Sequence, residues 1–316
     1  MIVAIARRFL TRVSIRKDRI GAARGNPRAL FNLGFLYADQ LDPPRLDEAR
    51  RWYEHAAEAG HTGAMVNLGF LLAHRLDPPE LARACRWYMR AANAGSTRAM
   101  FNLGFLLAHT LEPPRLDEAL RWYERAANAG DTKAMFNLAD LFANKLDPAQ
   151  PDEACRWWMR AAQAGENAAM FSLGVFAEKL DPPKLDAARY WYKRAADAGH
   201  NSAMFNLGYL FVRKLDPPQI DEARRCWIRA ADAGHTGAMF NLGVLFAEKL
   251  DPPRLEEARR WYERAADAGD TDAMFNLGVL LADRLDPPRL EEARRWYERA
   301  AQAGHTRGAV ALEGSQ

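Results

Sequence analysis

Apolar residues recur along this chain at spacings of three and four, which marks one face of a helix. Met65, Leu68, Leu72 and Leu76 form such a face and predict a helix, A, from about Thr62 to His74. Leu46, Ala49, Tyr53 and Ala56 form another and predict a helix, B, that stops at Ala59-Gly60. Leu-Asp-Pro-Pro separates the end of A from the start of B, as at Leu41 to Pro44 and Leu285 to Pro288. Two prolines remove two amide donors and disfavour helix just before them, yet are tolerated in a first turn. Gly60 supplies the left-handed conformation that closes B. Helix A starts behind pairs such as His61-Thr62, Ser96-Thr97, Asp131-Thr132 and Asp270-Thr271, and Asn26-Pro27 pairs a cap with a proline at the first helical position. The pattern leaves open which residue of each pair is the cap. On B, Asp47 and Arg51, and Glu291 and Arg295, stand four apart with the acid first, the favoured order on a solvated face.

The helix pair repeats. Ala-Met-Phe-Asn-Leu-Gly and its variants place Gly at 34, 69, 104, 174, 208, 243 and 278, with Ala139 in the fourth slot; the spacing is 35 residues, except for 34 between Gly174 and Gly208. One pair cannot bury its own apolar face, whereas stacked neighbours share a continuous core. The expected fold is therefore all-α: a right-handed α-solenoid of about eight antiparallel two-helix repeats. The expected division is a basic leader or worn capping helix at 1–26, eight repeats at 27–305, and a truncated ninth copy with a tail at 306–316. Gly25 and Ala29 keep the repeat spacing into the leader, where Lys17 occupies the tryptophan slot. Trp52, Trp87, Trp122, Trp157, Trp191, Trp261 and Trp296 recur on B and are expected in the core or between repeats, while Cys226 takes that slot once and Trp227 stands in the Tyr column.

Charge adds one asymmetry. Residues 1–28 carry eight basic side chains against Asp18, which leaves 36 basic and 40 acidic groups on the rest of a chain whose net charge is +3. Nucleic-acid binding needs a basic track, and the repeat body is net negative. Ile2, Ile5, Phe9 and Val13 are spaced like one helical face among arginines, so contact with an anionic membrane surface through residues 1–20 is the alternative use of the leader, beside a cap or tail. Arg7 and Arg8 follow the first apolar residues, the wrong order for a secretory signal. No stretch is long and apolar enough for a membrane helix. Three widely separated cysteines fit a reducing compartment, and a cytoplasmic location is expected.

Trp52-Tyr53, then Ala56-Ala57, Gly60 and Asn67-Leu68-Gly69, resemble the signature of the Sel-one-like repeat family, which is itself similar to the tetratricopeptide repeats. The resemblance runs from residue 27 to about 312. It implies a non-catalytic scaffold or adaptor that binds peptides or protein surfaces in a concave groove lined by A. Two features depart from the family: Leu-Asp-Pro-Pro stands where a Gly-x-Gly-Val loop is usual, and the period is short. The three cysteines do not match the cysteine-rich subgroup associated with penicillin binding, so that activity does not carry over.

The Asn column of A is the most informative polar feature. Asn32, Asn67, Asn102, Asn137, Asn206, Asn241 and Asn276 lie in nearly apolar segments, with Ser172 in the remaining slot. A repeated amide there needs partners. It either bonds the neighbouring helix and fixes the repeat angle or faces the groove and bonds a ligand backbone, and the two roles are compatible. The slot after Gly varies: Phe35, Phe70, Phe105, Asp140, Val175, Tyr209, Val244 and Val279. Such variation on a fixed framework is what a binding face requires, and Asp140 and Tyr209 join the Asn column as candidate ligand contacts. Asp39, His74, His109, Asn144, Glu178, Arg213, Glu248 and Asp283 vary near the end of A. His61, His200, His235 and His305 share a column too widely spaced for one zinc and read as helix starters. No phosphate loop, nucleophile elbow or zinc-protease motif occurs, so no enzyme, metal or cofactor is expected. The alternative functions are a nucleic-acid-binding helical repeat or a membrane-surface regulator working through the leader.

Overall fold

A computed structural model of the chain describes residues 16–314, all of them in helices, turns or short linkers. The helical spacing of Ile2 to Val13, and with it the choice among cap, tail and membrane contact, lies outside the described residues. Two compact units divide the chain, Met1–Ala164 and Gly165–Gln316. In each unit every helix packs on the next one in the chain, so each is a run of α-solenoid.

The first unit opens with a helix through residues 16–23. Its four A helices start at Pro27, Thr62, Thr97 and Thr132, and its B helices span Leu46–Glu58, Leu81–Asn93, Leu116–Asn128 and Pro151–Gln163. The A helices of the second unit start at Asn167, Asn201, Thr236 and Thr271, its B helices span Leu185–Asp197, Ile220–Asp232, Leu255–Asp267 and Leu290–Gln302, and Thr306–Gly314 follows. No described helix is long and apolar enough to cross a membrane.

One residue performs both the end of B and the start of A. The His61 amide donates to Ala56 O at 2.9 Å while Gly60 sits at φ +88°, a Schellman closure. The same His61 ring then accepts the Ala64 amide on Nδ1 at 3.1 Å. Asn26, Ser96, Asp131, His200, His235 and Asp270 cap in the same manner. The cap is therefore the first residue of each pair.

Helix A ends through a widened turn. In the first, third, fourth, seventh and eighth repeats its last five residues are π-helical, as in Leu36–Gln40. The Asp-Pro or Glu-Pro bond of every linker is cis. The residue before helix B then donates back to A, Arg45 to Tyr37 O at 2.8 Å and Glu80 to Leu72 O at 2.8 Å. In the fifth repeat the A helix Asn167–Lys179 is α-helical to its end, and Lys184 reaches Ala177 O over a loop one residue shorter. The missing residue of the 34-residue interval thus comes out of that closing turn.

The core is made of columns. Leu33, Ala49, Ala56, Ala57 and Tyr53 in the first repeat, and their counterparts in the others except the half-buried Ala301, are buried. Full burial of one large side chain is worth roughly 1.5–3 kcal/mol, so the tyrosine column is a main store of each repeat's stability. The tyrosine ring lies directly on the Gly of Asn-Leu-Gly in its own repeat: a Cβ built on Gly34 would stand 2.4 Å from Tyr53 Cδ1, and one on Gly243 2.4 Å from Tyr262 Cδ1.

The tryptophan column, expected in the core or between repeats, is not among the sealed core columns. Those indoles are half-buried, and in six repeats an arginine three residues on covers the ring, from 4.2 Å for Arg299 over Trp296 to 5.5 Å for Arg194 over Trp191. Asp47, Arg51, Glu291 and Arg295 lie on the solvated face of B, and the ion pairs of the first turn are Arg45 with Glu48 and Arg115 with Glu118.

Candidate functional site

The Asn column sits at the seam between repeats. Asn67 Nδ2 donates to the hydroxyl of Tyr53 at 3.3 Å, Asn137 to Tyr123 at 3.1 Å and Asn206 to Tyr192 at 3.4 Å, in each case on the B helix of the preceding repeat. Asn102 and Asn276 lie against the hydroxyls of Tyr88 and Tyr262 in the same arrangement. At Asn32 the partner is Asp18 Oδ1, 3.2 Å away on the helix that precedes the first repeat, and Asp18 stands in the tyrosine slot of that helix. Asn241 faces Trp227, which has no hydroxyl and donates its Nε1 to Phe205 O at 3.0 Å. The bonded amides spend one N–H on the array, and the whole column is half-buried.

Burial pushes the Tyr53 phenol up to about 12 and raises the Tyr88, Tyr123, Tyr192 and Tyr262 phenols as well, so all five stay protonated. The freed hydroxyl proton is available to the end of helix A, where Tyr192 donates to Glu178 Oε2 at 2.9 Å.

Beside this seam lies the varied slot after Gly. Phe35, Phe70 and Phe105 are 40%, 44% and 40% exposed, in the same slot of three consecutive repeats. Asp140 follows them and accepts Asn144 Nδ2 at 2.6 Å. A pocket of about 210 Å³ brings Phe35, Phe70, Asn67 and Tyr53 together with Asp39, Arg75 and Arg98. Arg75 is fixed there by Asp39 at 2.6 Å and by Ala38 O at 2.9 Å. In the second unit Tyr209 is 42% exposed and shares a recess of about 50 Å³ with Asn241, Arg213 and Val244. Each unit thus carries its own section of the candidate surface: Asn32, Asn67, Asn102, Asn137 and Asp140 in the first, and Asn206, Tyr209, Asn241 and Asn276 in the second.

Sequence reasoning missed the charged column on the other helix. Arg229, Arg264 and Arg299 of B reach Asp197, Asp232 and Asp267 of the preceding repeat at 3.4, 3.4 and 3.5 Å. The Trp-x-x-Arg spacing was the available signal. The histidines are spent as caps: burial lowers His61, His200 and His235 below the ordinary value, and their rings stack on Phe31, Phe171 and Phe205 at 4.6 Å. Among the described residues no group of His, Cys, Asp and Glu is placed to hold a metal.

The repeat geometry is matched by the family model for the Sel1 repeat at residues 27–61, 62–96, 97–131, 132–166, 167–200, 201–235 and 271–305, well over half of the chain. The chain belongs to the Sel1 repeat family. Each match begins where a cap residue hands over to helix A, and a tetratricopeptide-repeat model matches residues 219–273, across the repeat that the Sel1 model leaves out. A Sel1 repeat protein from Oxalobacter formigenes is similar in structure, with 26% identity and a TM-score of 0.71 over 98% of this chain and 93% of that one. A protective antigen of uropathogenic Escherichia coli with the same fold matches with 24% identity and a TM-score of 0.75. The match covers 94% of this chain and 66% of the antigen, so this chain spans just under two thirds of that protein's length. No curated protein sequence matches the chain. Sel1 and tetratricopeptide-like repeats are, as a class, protein-interaction scaffolds.

Proposed function

We propose that this Sel1 repeat protein is a non-catalytic scaffold that holds an extended segment of a protein partner along the A-helix face of its units. The row Phe35, Phe70 and Phe105 carries the reading. Three aromatic rings stay open to solvent in the same slot of three consecutive repeats, and Tyr209 is exposed in that slot in the second unit. Apolar side chains exposed in a row, rimmed by charge, mark an interaction surface. Arg75 and Arg98 beside Asp39 supply the rim. The Asn amides retain a carbonyl oxygen after bonding tyrosine, which suits them to accept a backbone N–H of the bound segment. A cytoplasmic setting fits the three free thiols.

The reading is tested by affinity capture with the intact chain beside two variants. Phe70→Ser with Phe105→Ser is expected to lose captured partners while the melting temperature stays within a few degrees. Asn102→Ala with Asn137→Ala is expected to weaken capture less and to lower stability more. Unchanged capture by the phenylalanine variant would remove this face from consideration.

A further inference from the structure

The tryptophan column of helix B is broken once, at Cys226 in the sixth repeat. In six sister repeats an indole fills this place and an arginine three residues on lies over it. The sixth repeat keeps the arginine, Arg229, and lacks the ring. Arg229 is nonetheless held in place, by Asp197 Oδ1 at 3.4 Å and Ala196 O at 2.9 Å.

A recess of about 680 Å³ opens beside Cys226, between Leu185–Asp197 and Ile220–Asp232. Leu207 and Phe211 line it from the A helix of the sixth repeat, Cys226 and Arg229 from its B helix, and Tyr190 and Lys193 from the preceding B helix. Tyr190 is 54% exposed. A volume of this order is ample for an aromatic side chain and lies within the range of ligand sites. The lining is apolar at its base and charged at its mouth, the anatomy of an anchor pocket.

We infer that this recess receives a tryptophan side chain of a partner protein, which completes from outside the indole–arginine stack that the other repeats build from within. The occupant is specified by the array itself, since six equivalent sites show which ring this backbone and this arginine accommodate. The surface is formed mainly by B helices, so it is separate from the row of exposed phenylalanines, and its test does not depend on that reading.

The full chain is titrated with the capped peptide N-acetyl-Ala-Trp-Ala-amide and with free tryptophan, followed by methyl and aromatic NMR. The peptide is expected to saturate and to shift Leu207 and Tyr190. Cys226→Trp fills the recess from within and is expected to cut peptide affinity at least tenfold. Cys226→Ala, which keeps the space and removes the thiol, is expected to bind as the parent does. Arg229→Ala is expected to weaken binding about threefold to tenfold, the range of a partly desolvated cation–π contact; with Cys226→Ala it decides the matter if Cys226→Trp fails to fold. Absence of saturable binding, equal binding by a folded Cys226→Trp protein, or shifts confined to other residues would overturn the inference. Tighter binding of free tryptophan than of the peptide would do so too, by making the recess a small-molecule site.

Discussion

A glycine inside a helix costs about 1 kcal/mol relative to alanine, so Gly243 needs a reason to be there. The reason is Tyr262, whose ring leaves no room for a Cβ. Gly243→Ala is expected to destabilise by about 0–2 kcal/mol net, because overpacking of about 1–3 kcal/mol offsets or exceeds the gain of about 1 kcal/mol in helix propensity. Urea denaturation checks it, and a stabilised variant would refute the packing account. Asn137→Ala removes one bond to Tyr123 and is expected to cost about 1 kcal/mol by the same measurement. The sequence displayed both columns, glycine and tyrosine, but not that they touch, since contact between two helices is not written in the periodicity of either. The Asn column was legible as polar residues in need of partners. Its partner was not, because the tyrosine lies on a different repeat from the asparagine.

Among elements, helix boundaries were the most legible feature: Thr62 to His74 is the helix that its apolar spacing and flanking prolines announced. The π-helical closing turn was not legible, because a wider turn keeps the same residue types. Capping carries a pH dependence. His61, His200 and His235 accept an amide on Nδ1 and must be neutral to do so. Burial holds their folded-state pKa below the ordinary value near 6.5. The stability they contribute is thus present above about pH 6.5 and lost as pH falls through their lowered values, since the unfolded chain then binds protons that the folded one does not. Thermal melts at pH 7.5 and pH 5 are expected to show this loss. Replacing the three histidines with Asp, the cap already present at Asp131 and Asp270, is expected to reduce the loss. An identical pH slope in that variant would refute the assignment.

For the whole molecule, stability comes from seams between neighbours, so it should depend on how many repeats are present. A chain ending at Gly269 is expected to melt several degrees lower while keeping its helical signal per residue to within about 10%. Circular dichroism across a temperature ramp checks both, and collapse of the helical signal would show that the units are not additive. The family and the all-α class were legible at this scale because one short pattern recurs eight times in register. The division into two compact units at Ala164 was not, although Ala139, Pro151 and the 34-residue interval all cluster near it.

Because each seam reuses the same contacts, the repeats behave as interchangeable cassettes. Excising residues 62–96 would join His61 to Thr97, preserve a cap at the junction and set Asn102 opposite Tyr53. Array length is therefore free to drift by unequal exchange of whole cassettes, without any new interface having to be invented. A gain or loss out of step with the cassette has to be absorbed in a closing turn, as the 34-residue interval is, for Asn206 still to meet Tyr192.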